Sequence, residues 1–450
     1  MTKQKIDLKP YTRPLVALAI PILVENVLRT FMGSVNVFFL SAWSDEAVAA
    51  VGVANQYLSM FSLLLSLVSG GAAVVISQSI GSGEQTHIRQ SSMVSLFIAA
   101  IMGVLAVAVS LIFAPFLVSF MDIAPSVARD AVLYFRIAGS ALFAQGMIAA
   151  LSALCRSHAR ASLPMIAIIT MNVLNAAGTA LAVFHPISPA LSGVAGTAWS
   201  YVFSGTLAFI LLAALVVRQK FGFGIKDLRP FPWAMLKEVV RIGSAPGLEA
   251  LSYHAVQITV MGIVSGLGVV ALSARTYLLS VVGYVFLLGM SIGQATQLLI
   301  ARFAGAGELD MADALVRRNS YWIFFGNLAI SLGLFSCWRF VFGALTDDPA
   351  VLALIFPALC ADVLVESGRG IGSCYNNAVR AVGDIRVMII VMLISLWVIC
   401  LPLSFGLSRV WGLAGIWVAS GVDEVVRGTA ACIRWNTGRW KKRFQDKAAA

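Results

Sequence analysis

The chain has 450 residues, 59% of them hydrophobic and 12% charged, with a mean hydropathy of +0.89. A soluble chain carries roughly 25% charged residues, so the composition excludes a soluble globular protein and indicates a helical protein that crosses a membrane many times. The net charge of +11 is no nucleic-acid signal, because the basic residues fall in connections between apolar runs.

About 20 apolar residues suffice to span a bilayer. Twelve spans are predicted, at about 14–40, 47–79, 92–120, 131–153, 163–184, 189–217, 242–265, 267–300, 320–345, 350–379, 386–407 and 411–433. The opening MTKQKIDLKPYTRP is polar and basic, with no evident cleavable signal peptide. Span one carries Glu25 and Arg29, one turn apart on one helix face, with Asn36 further along. Span two carries Tyr57 and Phe61 and is followed by IGSGE; Arg156 follows span four in ALCRSHA. The longest connection, RQKFGFGIKDLRPFPWAMLKEVVR, divides the spans six and six. The predicted organisation is an N-terminal lobe over 1–220, an inter-lobe loop over 221–241 and a C-terminal lobe over 242–450.

In the second half, span seven carries Glu249, His254 and Gln257. Glu249 has no basic residue three or four positions away, so it finds a partner on another helix, takes up a proton or faces water. A histidine can relay protons; His254 is a candidate for that role and equally for a structural one. Span eight carries Arg275, Tyr277, Phe286, Gln294 and Gln297. Span ten contains LVESGRGIG, whose Glu366 and Arg369 share one helical stripe with Asp362. Span twelve carries Asp423, Glu424 and Arg427. Ionisable groups at bilayer depth cost about 2.5–3.5 kcal/mol on insertion scales and usually face a cavity or a partner. Local pairing accounts for Glu25 with Arg29 and for Asp423 with Arg427. Trp435 and Trp440, amid Arg439, Lys441, Lys442 and Arg443, suit an interfacial anchor or a solvated tail. The six cysteines show no paired spacing and read as small packing residues.

The halves repeat. IGSGE ends at Glu84 and AGAGE at Glu308, and 308 − 84 = 224. Glu25 and Glu249 share that offset, as do Arg156 and Arg380. Pro21 and Pro246 mark the corresponding helices one residue out of register. Three anchors at one offset, in a chain with few charges, indicate a duplicated six-helix unit in parallel orientation, an arrangement that places substrate at the repeat interface in transporters. Basic residues concentrate in alternate connections, which by the positive-inside rule places both termini in the cytoplasm. No HExxH or GxxxxGK[ST] pattern occurs, and the one GxSxG match, Gly289-Met290-Ser291-Ile292-Gly293, lies inside the apolar run of span eight and not at the strand-to-helix turn a nucleophile elbow needs. An ATP-driven pump or a hydrolase is therefore not expected, and any transport draws on an ion gradient or runs downhill.

Over nearly its whole length the chain resembles the multidrug and toxic compound extrusion (MATE) family. The resemblance is carried by the paired IGSGE and AGAGE, by SIGQATQLLIARFAGAGE and by ESGRGIGSCYNNAVRAVGD. It implies an all-α membrane protein of twelve transmembrane helices in two six-helix lobes. It also implies a monomeric antiporter in the plasma membrane that exports organic compounds in exchange for H⁺ or Na⁺, without cofactor, ATP or nucleic acid, in contact with membrane lipids. Two departures are visible: Asn36 stands in Val35-Asn36-Val37 where the family's best-known branches carry an aspartate, and Arg369 stands where some branches carry a carboxylate. The remaining resemblance is to a branch with P-x-x-E-x-L-S-Y in span seven and E-x-G-R in span ten. It points to Glu249 and Glu366 as ion-coupling candidates, to which the residues themselves add Asp362 and His254. Arg369, Asn36, Gln257, Tyr277, Gln294, Tyr57 and Glu25 are the substrate-cavity candidates, with core packing open for the aromatic ones. An anionic or zwitterionic substrate, and a lipid-linked precursor flippase of the same superfamily, are the alternatives that a cationic cavity with Arg29, Arg275 and Arg369 would favour.

Overall fold

The computed structural model describes residues 8–121, 124–186 and 188–449. Lys3 and Lys5 of the polar, basic opening lie outside them. Among the described residues the regular structure is helical: α1 Lys9–Ser41, α2 Asp45–Ser82, α3 Gln85–Ser119, α4 Pro125–Gly139, α5 Leu142–Ser157, α6 Ser162–Phe184 and α7 Gly193–Arg218 in the first half. The second half holds α8 Trp233–Gly266, α9 Val269–Gly305, α10 Leu309–Ser336, α11 Trp338–Gly343, α12 Pro349–Ala381, α13 Ile385–Ile394, α14 Leu401–Asn436 and α15 Arg439–Ala449, with a π turn at Ser395–Cys400 between α13 and α14.

Among the described residues, seven helices are long and apolar enough to cross a bilayer, or nine when the bent pairs Pro125–Gly139 with Leu142–Ser157 and Pro349–Val363 with Gly368–Ala381 each count as one span. The helix from Ile385 to Asn436 has 52 residues. At 1.5 Å per residue it is more than twice as long as the roughly 30 Å hydrocarbon core. It breaks at Gly412 (φ 56°, ψ −132°) and so supplies two crossings. With α8 and α10, 34 and 28 residues long, the count reaches twelve. The expected inter-lobe loop over 221–241 is shorter than read from the sequence, since α8 begins at Trp233.

The backbone repeats with the sequence. Gly83 and Gly307 both take a positive φ (74° and 77°), as do Ala159 and Gly383 (58° and 71°). Arg160 N donates to Cys155 O and Asp384 N to Val379 O, each 224 positions apart. Both spans four and ten bend at the matching place, by 44° between α4 and α5 and by 47° within α12. Gly193 and Gly412 open the last crossing of each half with φ of 52° and 56°; the offset there is 412 − 193 = 219, so the second half is five residues shorter by this point.

Contacts divide the chain into two units, one of Val24–Ser79 and Glu84–Ser244, the other of Met1–Leu23, Ile80–Gly83 and Ala245–Ala450. The first packs around Leu40, Val51, Tyr134, Phe135 and Leu142. The second packs around Val264, Leu278, Ile355, Leu396 and Ile416. Its α12 and α14 come closest at Gly372 and Gly428, where a Cβ on Gly372 would lie 2.9 Å from the Gly428 Cα; small residues let helix backbones approach in a membrane.

Trp435 and Trp440 form no membrane anchor. Both are buried, stacked at 4.2 Å, with Trp435 Nε1 donating to Asp313 and Trp440 Nε1 to the Trp435 carbonyl. An indole satisfied within the protein gains nothing from the lipid headgroups, so α15 is pinned to α10, where Lys441 also meets Asp310 at 2.7 Å.

Candidate functional site

In the unit of Val24–Ser79 and Glu84–Ser244, Glu25 is buried between two guanidiniums. Arg29 Nη2 lies 3.2 Å and Arg156 Nη1 3.7 Å from its carboxylate. Span one thus carries an acid paired with a guanidinium of its own helix and with one from α5. Asn36 is buried and accepts a hydrogen bond from Thr179 of α6 at 3.2 Å. One turn before Thr179 lies Asn175, which the sequence reading missed. Both its amide atoms are buried without a partner among the described residues. A lone asparagine in an apolar run gives little warning of this, because only the fold brings α1 beside α6. Tyr57 donates to the Leu117 carbonyl at 2.6 Å and packs on Phe135, as Phe61 does. Tyr57 and Phe61 are half-buried against this unit's core.

The other unit concentrates its charge around the bend of α12. Glu366 sits in that bend, fully buried, and its carbonyl accepts from Asn327 of α10 at 3.2 Å. A side chain that takes a helix carbonyl is a recognised cause of a kink. The Glu366 carboxylate pairs with Arg369, while its Oε2 has no hydrogen-bond partner among the described residues. Arg369 lies over the Phe286 ring at 5.1 Å and donates through Nε to Glu424 Oε1 at 3.1 Å. The same Glu424 oxygen meets Arg427 Nη2 at 2.8 Å.

Arg427 in turn binds Asp423 at 2.7 Å and reaches Glu249 Oε1 at 3.4 Å. Glu249 is also paired with Arg380 in the last turn of α12. The partner that Glu249 lacked in sequence comes from α12 and α14. A small cavity of about 20 Å³ opens against Glu249, Asn376, Arg380, Met388 and Arg427. That is room for one water.

The result is one chain of alternating charge: Glu366, Arg369, Glu424, Arg427, Glu249, Arg380. With Asp423, four carboxylates face three guanidiniums. Asp362 stands at the edge, accepting from Trp417 Nε1 at 3.0 Å. On the other side Trp417 faces buried Arg275, whose ring-to-cation distance is 5.8 Å and whose Nη2 donates to Gln257 at 2.6 Å.

Three sequence candidates fall away from this chain. His254 is exposed on α8 beside Tyr253, because it lies one residue off the face that carries Glu249. Tyr277 packs on the unit's core, and Gln294 is half-buried on α9. Glu424 and Arg427 were undervalued in the sequence. Each has an opposite charge within one turn, and that local pairing hides their reach to α12 and α8.

One MatE family model matches residues 21–181 and again 247–405. The chain is 30% identical to the uncharacterized transporter YisQ of Bacillus subtilis across 95% of both chains. It is 25% identical to a probable multidrug resistance protein NorM of Thermotoga maritima, covering 98% of this chain and 95% of that one. Among solved structures, a MATE protein crystallised in its bent conformation superposes with a TM-score of 0.88 at 17% identity, over 98% of this chain and 97% of that one. A superfamily transporter from Pyrococcus furiosus reaches 0.86 at the same identity, over 96% and 95%. The repeat, the helical spans and the doubled family match agree, and the chain belongs to the MatE family: it is a multi-pass membrane transporter and not an enzyme.

Proposed function

We propose that this transporter is a secondary active antiporter that exports organic, drug-like compounds in exchange for H⁺, with Glu366 as the proton-carrying carboxylate. The observation that carries the reading is the buried Glu366, paired with Arg369, with one oxygen unpartnered among the described residues. Four carboxylates against three guanidiniums leave one negative charge in excess, and a low-dielectric interior favours a balanced count. One proton supplies that balance. A proton needs only the one unpartnered oxygen of Glu366, whereas a sodium ion needs several oxygen ligands and the other Glu366 oxygen is already taken by Arg369, which favours H⁺ as the coupling ion.

The other unit supports the same choice from the opposite side. Glu25 is held by two arginines, and Asn36 carries no titratable proton. Arg369 is neutralised by Glu366 and Glu424, so it does not present the free cation that an anionic or lipid-linked substrate would call for. The multidrug-resistance names of relatives such as NorM point to the same substrate class. Alternating access by rocking of the two repeat halves supplies the cycle, with both termini on the cytoplasmic side and the chain acting as a monomer that needs no cofactor beyond the coupling proton.

The test is uptake of ethidium into energised inside-out vesicles, with the proton gradient intact or collapsed. Wild type is expected to accumulate the dye only with the gradient, and Glu366→Gln to lose that dependence. Gradient-driven uptake by Glu366→Gln at the wild-type level would sink the assignment.

A further inference from the structure

The repeat shows which charges belong to the fold and which were added. Glu25 with Arg156 and Glu249 with Arg380 occupy equivalent positions, and both are ion-paired. An acid and an arginine that join the first span of each unit to the end of its fourth are therefore common architecture. The rest of the charged chain has no counterpart. At the 224 offset, Glu366 and Arg369 correspond to Leu142 and Gln145; at the 219 offset of the last span, Glu424 and Arg427 correspond to Gly205 and Ala208. The packing confirms the correspondence, since a Cβ on Gly205 would lie 3.2 Å from Gln145 Nε2, where Glu424 meets Arg369 in the other unit.

We propose that Arg427, held by Glu424, is a positioning residue that transmits the proton occupancy of Glu366 to the Glu249–Arg380 pair at the end of α12. This rests on the reading of Glu366 as the proton carrier. Glu424 Oε1 is shared between Arg369 and Arg427. When Glu366 is neutral, Arg369 keeps only Glu424, and it competes with Arg427 for that one oxygen. Arg427 then leans on its other acceptors, Asp423 and Glu249. Glu249 divides its two oxygens between Arg427 and Arg380, so a stronger claim by Arg427 weakens the clamp between α8 and α12 beside the water-sized cavity. Among the described residues, the other titratable or charged groups within electrostatic reach of the chain are Tyr253 of α8, Asp362 of α12 and Cys400 of the π turn. None of these bridges two arginines in the way Glu424 does.

Glu366 and Arg380 are fourteen positions apart on α12, on the order of 20 Å. Substitutions that far apart normally act additively on stability. The experiment is a double-mutant cycle on the thermal midpoint of the detergent-purified full chain, with Glu366→Gln as the neutral-carboxyl mimic and Arg380→Gln. The expected result is non-additivity of about 2 °C or more, absent in an Arg427→Gln background and partly restored by Arg427→Lys. Additive midpoints in the intact background would overturn the proposal, as would non-additivity that survives Arg427→Gln. If Arg427→Gln does not fold, Glu424→Gln breaks the same link and replaces it. The cycle needs no transport, so its failure is distinguishable from failure of the ethidium assay.

Discussion

A single oxygen, Glu424 Oε1, accepts from two guanidiniums, and this makes the carboxylates of the second half unequal. Removing Glu424 leaves Arg369 and Arg427, 19% and 8% exposed, facing each other across an empty acceptor. Breaking a buried pair by deleting one partner costs about 3–5 kcal/mol, and Glu424→Gln is expected near the lower end because Glu366 and Asp423 remain. Asp362 is more deeply buried, 2% exposed against 13% for Glu424, yet its partner is a neutral indole. An asparagine there keeps an acceptor for Trp417, so Asp362→Asn is expected to cost about 1 kcal/mol or less. Unfolding midpoints of the two variants in one detergent decide the matter; equal losses would mean that Glu424 is not the shared hub its geometry describes.

At the scale of elements, the close approach of α12 and α14 at Gly372 and Gly428 holds Arg369 against Glu424, because one helix must lie almost on the backbone of the other. Gly372→Ala places a methyl 2.9 Å from the Gly428 Cα, and overpacking of this kind costs about 1–3 kcal/mol. The variant is expected to lower the thermal midpoint, and Gly70→Ala, with nothing within 4 Å of its added Cβ, to leave it nearly unchanged. The tail is a second such element. Truncation after Gly438 removes Trp440 from Trp435 and Lys441 from Asp310. The expected outcome is exposure of Trp435, read as a red shift of its fluorescence. An unchanged spectrum would mean that α15 contributes no cover.

At the scale of the whole molecule, the duplication was legible in the sequence and the site only partly so, for one physical reason. Charges are rare in this chain, so three of them at one offset stand out. Most pairings between spans are not local. Glu249 announced itself by lacking a neighbour, whereas Glu424 and Arg427 were concealed by having one. The bend of α12 was invisible for the same reason: it depends on Asn327, thirty-nine positions away from Glu366.

That division between shared architecture and added charge separates two substitutions that look alike on paper. Glu25→Gln and Glu366→Gln each neutralise a buried glutamate facing arginine. Glu25 belongs to the pair present in both units, so its loss leaves Arg29 and Arg156 without their acid and acts on stability. Arg29 is 39% exposed and can turn to water, which holds the cost to roughly 1–3 kcal/mol. Glu366 belongs to the set that only the second unit carries, and after its neutralisation Arg369 retains Glu424, so the fold loses little. Glu25→Gln is therefore expected to reduce the thermal midpoint while the protein that remains folded still accumulates ethidium in a gradient-dependent way. Glu366→Gln is expected to do the reverse, with a near-normal midpoint and no response to the gradient. Measuring both quantities on both variants, normalised to folded protein, checks the division. If Glu25→Gln also abolishes gradient dependence, the proton pathway runs through both halves, and the asymmetry between them loses its functional meaning.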